Sequence, residues 1–377
     1  MRFVLAPDSF KESMTAQEVA DAMERGIKKV IPEASCIKVP MADGGEGTAQ
    51  SLIDATSGKM YKVEVKGPME DLVEAELGIL GDKETAVIEM ASANGLQLIP
   101  PKDRNPLIST TYGTGELIKK ALDMGVKNLV IGIGGSATND GGAGMFQALG
   151  GRLLDKKGNE LSKGGGELSK LHKIDTSNLD PRLSKVTVEV ACDVNNPLTG
   201  ETGASYVFGP QKGATPEMIE ELDKNLKHYG NIIKDQLGIE VDKVPGAGAA
   251  GGLGAGLMAF LSAKLVKGID LVVEHIQLES QILESDYVFT GEGQIDFQTQ
   301  YGKTPVGVAL IAKKYNVPTI VLAGSIGEDV DVLYDYGITS ILGILKSPCT
   351  LEDALDLGEE NIERASENIT RLLKLRK

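Results

Sequence analysis

Apolar runs of strand length alternate with amphipathic helical stretches along most of this chain. Arg2–Ala6 (RFVLA) reads as a short buried strand. Thr15 then opens a helix, with Glu18 three residues on completing a capping box. Ala16, Val19, Ala20, Met23, Ile27 and Val30 recur at helical spacing and form one apolar face. Cys36–Val39 reads as a second strand, which makes a β–α–β unit. Both of its strands end in polar motifs, Pro7-Asp8-Ser9-Phe10-Lys11-Glu12-Ser13 and Pro40–Thr48. In open parallel sheets ligands bind at that carboxyl edge.

From Gly67-Pro68 the texture changes. Leu72–Leu80 and Thr85–Met90 read as strands joined by a hairpin-like Gly81-Asp82-Lys83. Asn105–Leu117 is rich in hydroxyls and enters a helix to about Met124. Asn128–Ile133 and Lys185–Ala191 are further strands, and Tyr206–Gly213 reads as a loop. Thr215 caps a helix with Pro216 at its first position, and Leu222, Leu226, Tyr229 and Ile233 lie on its buried stripe. Asp286–Phe289 reads as a strand, Thr304–Tyr315 as a helix, and Pro318–Ala323 and Ser340–Ile344 as strands. Thr350–Leu373 reads as one closing amphipathic helix. The alternation at the two ends matches. We therefore expect an α/β protein in which both chain ends, 1–67 and 285–377, build one Rossmann-like parallel-sheet domain. A second α/β domain, 68–284, is inserted between them.

Composition narrows the partners. The 377 residues carry a net charge of −15, which argues against nucleic acid or an anionic membrane surface. An anionic substrate would then need local positive groups and a divalent cation. Three widely spaced cysteines make a disulfide framework improbable, and no secretory apolar segment opens the chain, so a cytoplasmic protein is expected. The three histidines sit in no metal-ligand spacing. Val244–Ala263 carries no charge over 20 residues and contains Gly248-x-x-x-Gly252-x-x-x-Gly256. Its Gly/Ala content points to a close-packed buried helix rather than a membrane span.

The densest candidate for chemistry is Ile131–Met145, IGIGGSATNDGGAGM. A strand that runs into glycines and then a helix lets backbone N–H groups approach an anion. Gly134, Gly135, Ser136, Thr138 and Asn139 are candidate phosphate or carboxylate contacts, and Asp140 is a candidate metal ligand. A tight turn would use the same glycines for backbone reasons alone. Carboxylates recur beside glycine at strand ends: Asp8, Asp43 with Glu46, Asp140, Asp193, and Glu292 with Asp296. Such carboxylates, with hydroxyls and no histidine, fit Mg²⁺-assisted phosphoryl transfer. Gly302-Lys303-Thr304 looks like the end of a P-loop, but Phe297 stands where its first glycine belongs. Gly246-x-Gly248-x-x-Gly251 matches a dinucleotide fingerprint in letters only, so a dinucleotide-dependent oxidoreductase is a weak alternative. Lys11, Lys212 and Lys303 are candidate anion partners.

Taken together, DSFKESMTA (Asp8–Ala16), PMADGGEGT (Pro40–Thr48), Ile131–Met145, ACDVNNPLTG (Ala191–Gly200), FGPQKGA (Phe208–Ala214) and TGEGQIDFQT (Thr290–Thr299) closely resemble the bacterial type I glycerate kinase family. The resemblance implies ATP- and Mg²⁺-dependent phosphorylation of D-glycerate, with 2-phosphoglycerate as the usual product. Phosphorylation at the 3-hydroxyl, or of a related small hydroxy acid, is the alternative. It also implies a Rossmann-like domain built from both ends of the chain. On this reading Asp193 or Asp296 accepts the hydroxyl proton and Lys11 offsets phosphoryl charge. Asp8, Asp43 and Glu292 hold the metal or its waters. Ser9, Lys212 and the Gly134–Asn139 stretch bind substrate or phosphate. A homo-oligomer is left open.

Overall fold

The computed structural model describes residues 1–42 and 47–375. Its strands, in chain order, begin with β1 (Arg2–Leu5), β2 (Ser35–Lys38), β3 (Lys59–Lys66), β4 (Leu72–Ile79), β5 (Thr85–Glu89) and β6 (Asn128–Gly132). They continue with β7 (Arg152–Leu154), β8 (Lys173–Asp175), β9 (Thr187–Ala191), β10 (Lys264–Val266), β11 (Tyr287–Ile295), β12 (Thr319–Ile326) and β13 (Ile338–Gly343). The chain forms two compact units. Over the described residues the first comprises 1–42, 50–56 and 269–375, and the second 47–49 and 57–268.

In the first unit the strands run β13-β12-β11-β1-β2, each pair parallel. The two chain ends thus share one sheet, with β1 hydrogen-bonded to β11 in the register Leu5↔Phe289. Parallel strands bury both faces, which is why FVL and VF read as unbroken apolar runs. On one face Phe3, Leu5 and Phe289 pack with Val19, Met23 and Ile27 of the helix Ala16–Val30 and with Ile362 and Ile369 of the helix Gly358–Lys374. On the other, Ile295 and Val321 pack with Val306 and Ala309 of the helix Thr304–Lys314 and with Leu333. Helices on both faces of a parallel sheet define a Rossmann-like layer order.

The second unit has a sheet in the order β10-β9-β6-β5-β4-β3, parallel from β10 to β5 and antiparallel at β5–β4–β3. A separate antiparallel pair, β7 and β8, stands apart from it. Leu77, Ile88, Leu129, Ile131 and Val190 of this sheet share a core with Leu117, Phe146, Leu226, Tyr229 and Leu253. The Phe146 and Phe260 rings stack at 4.0 Å between centroids.

Several local expectations hold. Thr15 caps the helix Ala16–Val30, with the Glu18 side chain closing the capping box. Thr215 caps the helix Pro216–Leu237, and its Oγ accepts from the Met218 N–H. The uncharged stretch forms the helix Ala249–Leu261, bent where Ala250, Gly251 and Gly252 take left-handed conformations. Among the described residues no helix is long and apolar enough to cross a membrane.

Others differ. β3 pairs along its whole length with β4, so it lies in the second sheet although it precedes Gly67. β11 does not stop at Phe289 but continues through the Thr290-Gly291-Glu292-Gly293 motif to Ile295, because β12 pairs with it as far as Ile295↔Ile326. The closing helix is two, Leu351–Asp356 and Gly358–Lys374. At the break the Leu355 carbonyl accepts from Ser13 Oγ at 2.6 Å and from the Leu357 N–H. Tyr206–Gly213 is not an open loop. It contains the end of the helix Ala204–Phe208 and the 3₁₀ turn Pro210–Lys212.

Candidate active site

At the carboxyl edge of the first sheet, β1 ends at Leu5 and the chain reaches Asp8, whose N–H donates to the Gly291 carbonyl of β11 at 2.9 Å. Asp8 Oδ1 accepts from the Ser9 N–H at 2.7 Å and from Ser9 Oγ at 3.3 Å. Asp8 Oδ2 accepts from Thr304 Oγ1 at 2.6 Å. Glu292, on β11, is buried, and its Oε1 accepts from Thr299 Oγ1 at 2.9 Å. Lys303 Nζ lies 3.6 Å from the same Oε1. Thus Lys303 and Thr304, adjacent at the start of the helix Thr304–Lys314, each engage one of the two carboxylates. The failed P-loop match is a lysine–threonine clamp, and Thr304 joins the candidate residues beyond those the sequence pointed to. Its signal was the position one residue after Lys303, at a helix start facing strand ends.

Phe10 is buried in the first core, while Lys11 stands exposed at the tip of a turn closed by Phe10 N–H to Met14 C=O. The Lys11 backbone nitrogen lies 3.8 Å from where a Cβ added at Gly293 would stand. Asp296 is half-buried and caps the 3₁₀ turn Phe297–Tyr301, its Oδ1 accepting from the Gln298 N–H at 2.8 Å. Asp43 and Glu46 lie outside the described residues.

In the second unit the Gly-rich stretch follows β6 and is fastened from several sides. The Leu96 N–H donates to the Gly135 carbonyl and the Ala137 N–H to the Asn94 carbonyl, both at 2.9 Å. Ser109 Oγ donates to the Ala137 carbonyl at 2.9 Å. Asp140 is fully buried. Its Oδ2 accepts from the Thr111 N–H (2.8 Å), Thr111 Oγ1 (2.9 Å) and the Gly144 N–H (3.2 Å), and its Oδ1 from the Gly142 N–H (3.1 Å). Burial pushes its pKa up, against the pull of those donors. Through these bonds Asp140 holds the loop to the start of the helix Tyr112–Asp123.

The stretch divides in two. Gly134 and Gly135 are exposed, and Gly135 has φ +69°, a left-handed value that favours glycine. Ser136, Thr138 and Asn139 are buried, and Asn139 Nδ2 donates to Ser205 Oγ at 3.0 Å. Lys212 is 1% exposed; its Nζ donates to Ser136 Oγ at 2.8 Å and to the Thr138 carbonyl at 2.7 Å. Burial pushes the Lys212 pKa down to about 7, with the Asp140 carboxylate opposing the shift. Asp193, two residues beyond β9, is exposed, and its Oδ1 accepts from the Gly268 N–H at 3.0 Å.

Carboxylates, a lysine and hydroxyls at the edge of a parallel sheet in the first unit, and a glycine turn over a buried lysine in the second, are each features that phosphoryl transfer can use. Phosphotransferases position reactants and neutralise charge rather than form covalent bonds with the substrate. The chain belongs to the glycerate kinase family, whose model matches residues 3–374. It is 53% identical over 375 residues to the glycerate 2-kinase of Escherichia coli strain K12, an alignment covering 100% of this chain and 98% of that protein. It is 55% identical over 377 residues to a glycerate kinase of Bacillus subtilis strain 168, covering 100% and 99%. A solved crystal structure from Salmonella typhimurium LT2, provisionally designated glycerate kinase 2, superposes with a TM-score of 0.92 at 51% identity, covering 100% of this chain and 98% of that one.

Proposed function

We propose that this kinase transfers the γ-phosphoryl group of ATP to the 2-hydroxyl of D-glycerate, giving 2-phosphoglycerate and ADP. The observation that carries the reading is the full-length likeness, at 53% identity, to a protein named glycerate 2-kinase. We assign the first unit's edge to the charge of the transferring phosphoryl group. Lys303 and Lys11 supply positive charge, while Thr304 and Ser9 fix the Asp8 carboxylate and Thr299 fixes that of Glu292. Asp8 and Glu292 are hard oxygen donors, the chemistry that suits Mg²⁺, which needs only one or two carboxylates beside its waters and the phosphates. When bound, that ion would neutralise phosphate charge. We assign the Gly134–Ser136 turn to an anionic group, the glycerate carboxylate or a nucleotide phosphate. Asp193 or Asp296 takes the hydroxyl proton. Each already accepts a backbone N–H, which orients its carboxylate.

Net charge, the free thiols of Cys36, Cys192 and Cys349, and a diffusible substrate fit a cytoplasmic enzyme acting on small molecules rather than on nucleic acid or membrane. The test is ADP release by purified protein, measured with ATP and Mg²⁺ against D-glycerate, L-glycerate, lactate and tartronate in turn. Release that depends on D-glycerate and falls at least tenfold with the others supports the reading. Equal rates with lactate, which lacks the 3-hydroxyl, would remove glycerate as the specific acceptor.

A further inference from the structure

Lys212 is buried to 1% exposure, yet it lies directly beneath the turn assigned to an anion. Above it, Gly134 and Gly135 are exposed, and their N–H groups donate to no acceptor among the described residues. Consecutive free N–H groups with one residue in the left-handed region form a concavity suited to an anion. Between the turn and the lysine stands Ser136, whose Oγ accepts from Lys212 Nζ and keeps its own proton for donation. The second Lys212 bond, to the Thr138 carbonyl, fixes the far side of the same loop. The lysine is itself held. Its N–H donates to the Gly209 carbonyl at 3.0 Å, and Arg104 Nη1 donates to the neighbouring Gln211 carbonyl at 3.0 Å.

A buried ammonium bonded to two neutral oxygens is a poor device for stability alone, since its desolvation exceeds what neutral acceptors return. Asp140, on the same loop, is the opposing charge, and it is already satisfied by four N–H and O–H donors within 3.2 Å. An anion arriving at Gly134–Gly135 would reach the lysine through Ser136, whose hydroxyl bridges the exposed turn and the buried amine.

We infer that Lys212 is a positioning residue for the anion-binding turn, acting through Ser136 and Thr138 without touching the substrate. The inference rests on the proposed assignment of Gly134–Ser136 to an anionic group. It makes the FGPQKG motif a strut: the 3₁₀ turn Pro210–Lys212 carries the Lys212 amine to the Ser136 hydroxyl and the Thr138 carbonyl of another loop.

The test is steady-state kinetics of the full chain carrying Lys212→Met, Ser136→Ala or both. Each single change is expected to raise KM for one substrate about tenfold or more, with KM for the other within twofold. A rise for glycerate identifies the anion as its carboxylate, and a rise for ATP identifies a phosphate. The double variant is expected to lose little beyond Lys212→Met, because the two residues act in series. Unchanged KM values for both substrates in folded Lys212→Met, or losses that simply multiply, would overturn the inference. Should Lys212→Met fail to fold, Ser136→Ala decides alone: a KM rise of about tenfold or more at an unchanged melting temperature supports it, and a smaller change or none overturns it. If the wild-type protein phosphorylates no glycerate, the functional reading fails separately. Calorimetry with inorganic phosphate then tests the turn: binding by the wild type that Ser136→Ala weakens supports the inference, and equal or absent binding overturns it.

Discussion

Thr304 Oγ1 donates to Asp8 Oδ2 at 2.6 Å, tying the start of the helix Thr304–Lys314 to the segment just beyond β1, 296 residues away in sequence. Thr304 is fully buried and Asp8 half-buried, so the bond is formed at the margin of the core. Thr304→Val keeps the shape and removes the donor. A hydrogen bond to a charged group is worth about 1.5–3 kcal/mol. The denaturation midpoint is expected to fall accordingly, and turnover to drop at least tenfold as Asp8 loses its orientation. Thr304→Ser, which keeps the hydroxyl, should recover most of the turnover.

Asp193 and Asp296 each cap a backbone N–H, so alanine variants would confuse stability with chemistry. Asn retains a cap acceptor. Of Asp193→Asn and Asp296→Asn, the one replacing the proton acceptor is expected to lose kcat by about 10²-fold or more, with KM changed only a few-fold. The other should stay within tenfold of wild type. If both remain near wild type, neither carboxylate takes the proton.

Gly134 offers a substitution that the fold does not resist. Its φ is not left-handed, and an added Cβ would meet nothing within 4 Å. Gly134→Ala should leave stability within about 0.5 kcal/mol or raise it slightly. The methyl would stand where the anion approaches, so a KM rise of about tenfold at an unchanged melting temperature is expected. Unaltered kinetics would place the anion elsewhere.

Lys212 also makes stability depend on pH with a definite sign. Burial lowers its pKa from 10.5 to about 7 in the folded chain. Between those values the unfolded chain binds the proton and the folded chain releases it, so stability rises with pH. The cost is full below pH 7 and disappears above pH 10.5. Lys212→Met lacks this group. Its stability relative to wild type should therefore be greatest near pH 6 and shrink by ~1 kcal/mol per pH unit between about pH 7 and 10. A difference that stays constant over that range would show that the ammonium is not desolvated as its burial implies.

What could be read from the sequence was whatever local chemistry dictates. The Thr15–Glu18 box, the Thr215-Pro216 start and the apolar runs of β1, β6 and β9 are local signals, and each element formed. The shared sheet followed from alternation at both chain ends. The misses came from tertiary pairing. Thr290-Gly291-Glu292-Gly293 has loop composition, yet it is strand because β12 runs beside it, with Gly291 admitting the close approach of the Leu322 carbonyl. β3 is an alternating strand whose partner, β4, decides its sheet. Within the site, Asp140 and Lys212 were visible as residue types, but their burial was not. Thr304 stood next to a rejected motif, and only the fold brings it to Asp8.

Glycerate 2-kinase activity is read directly by ³¹P NMR of the product formed when pure protein is incubated with D-glycerate, ATP and Mg²⁺. The expected result is the resonance of 2-phosphoglycerate, growing as that of the ATP γ-phosphate declines. A 3-phosphoglycerate resonance would contradict the assigned hydroxyl, and intact ATP with no phosphorylated glycerate, from protein shown to be folded, would contradict the reaction itself.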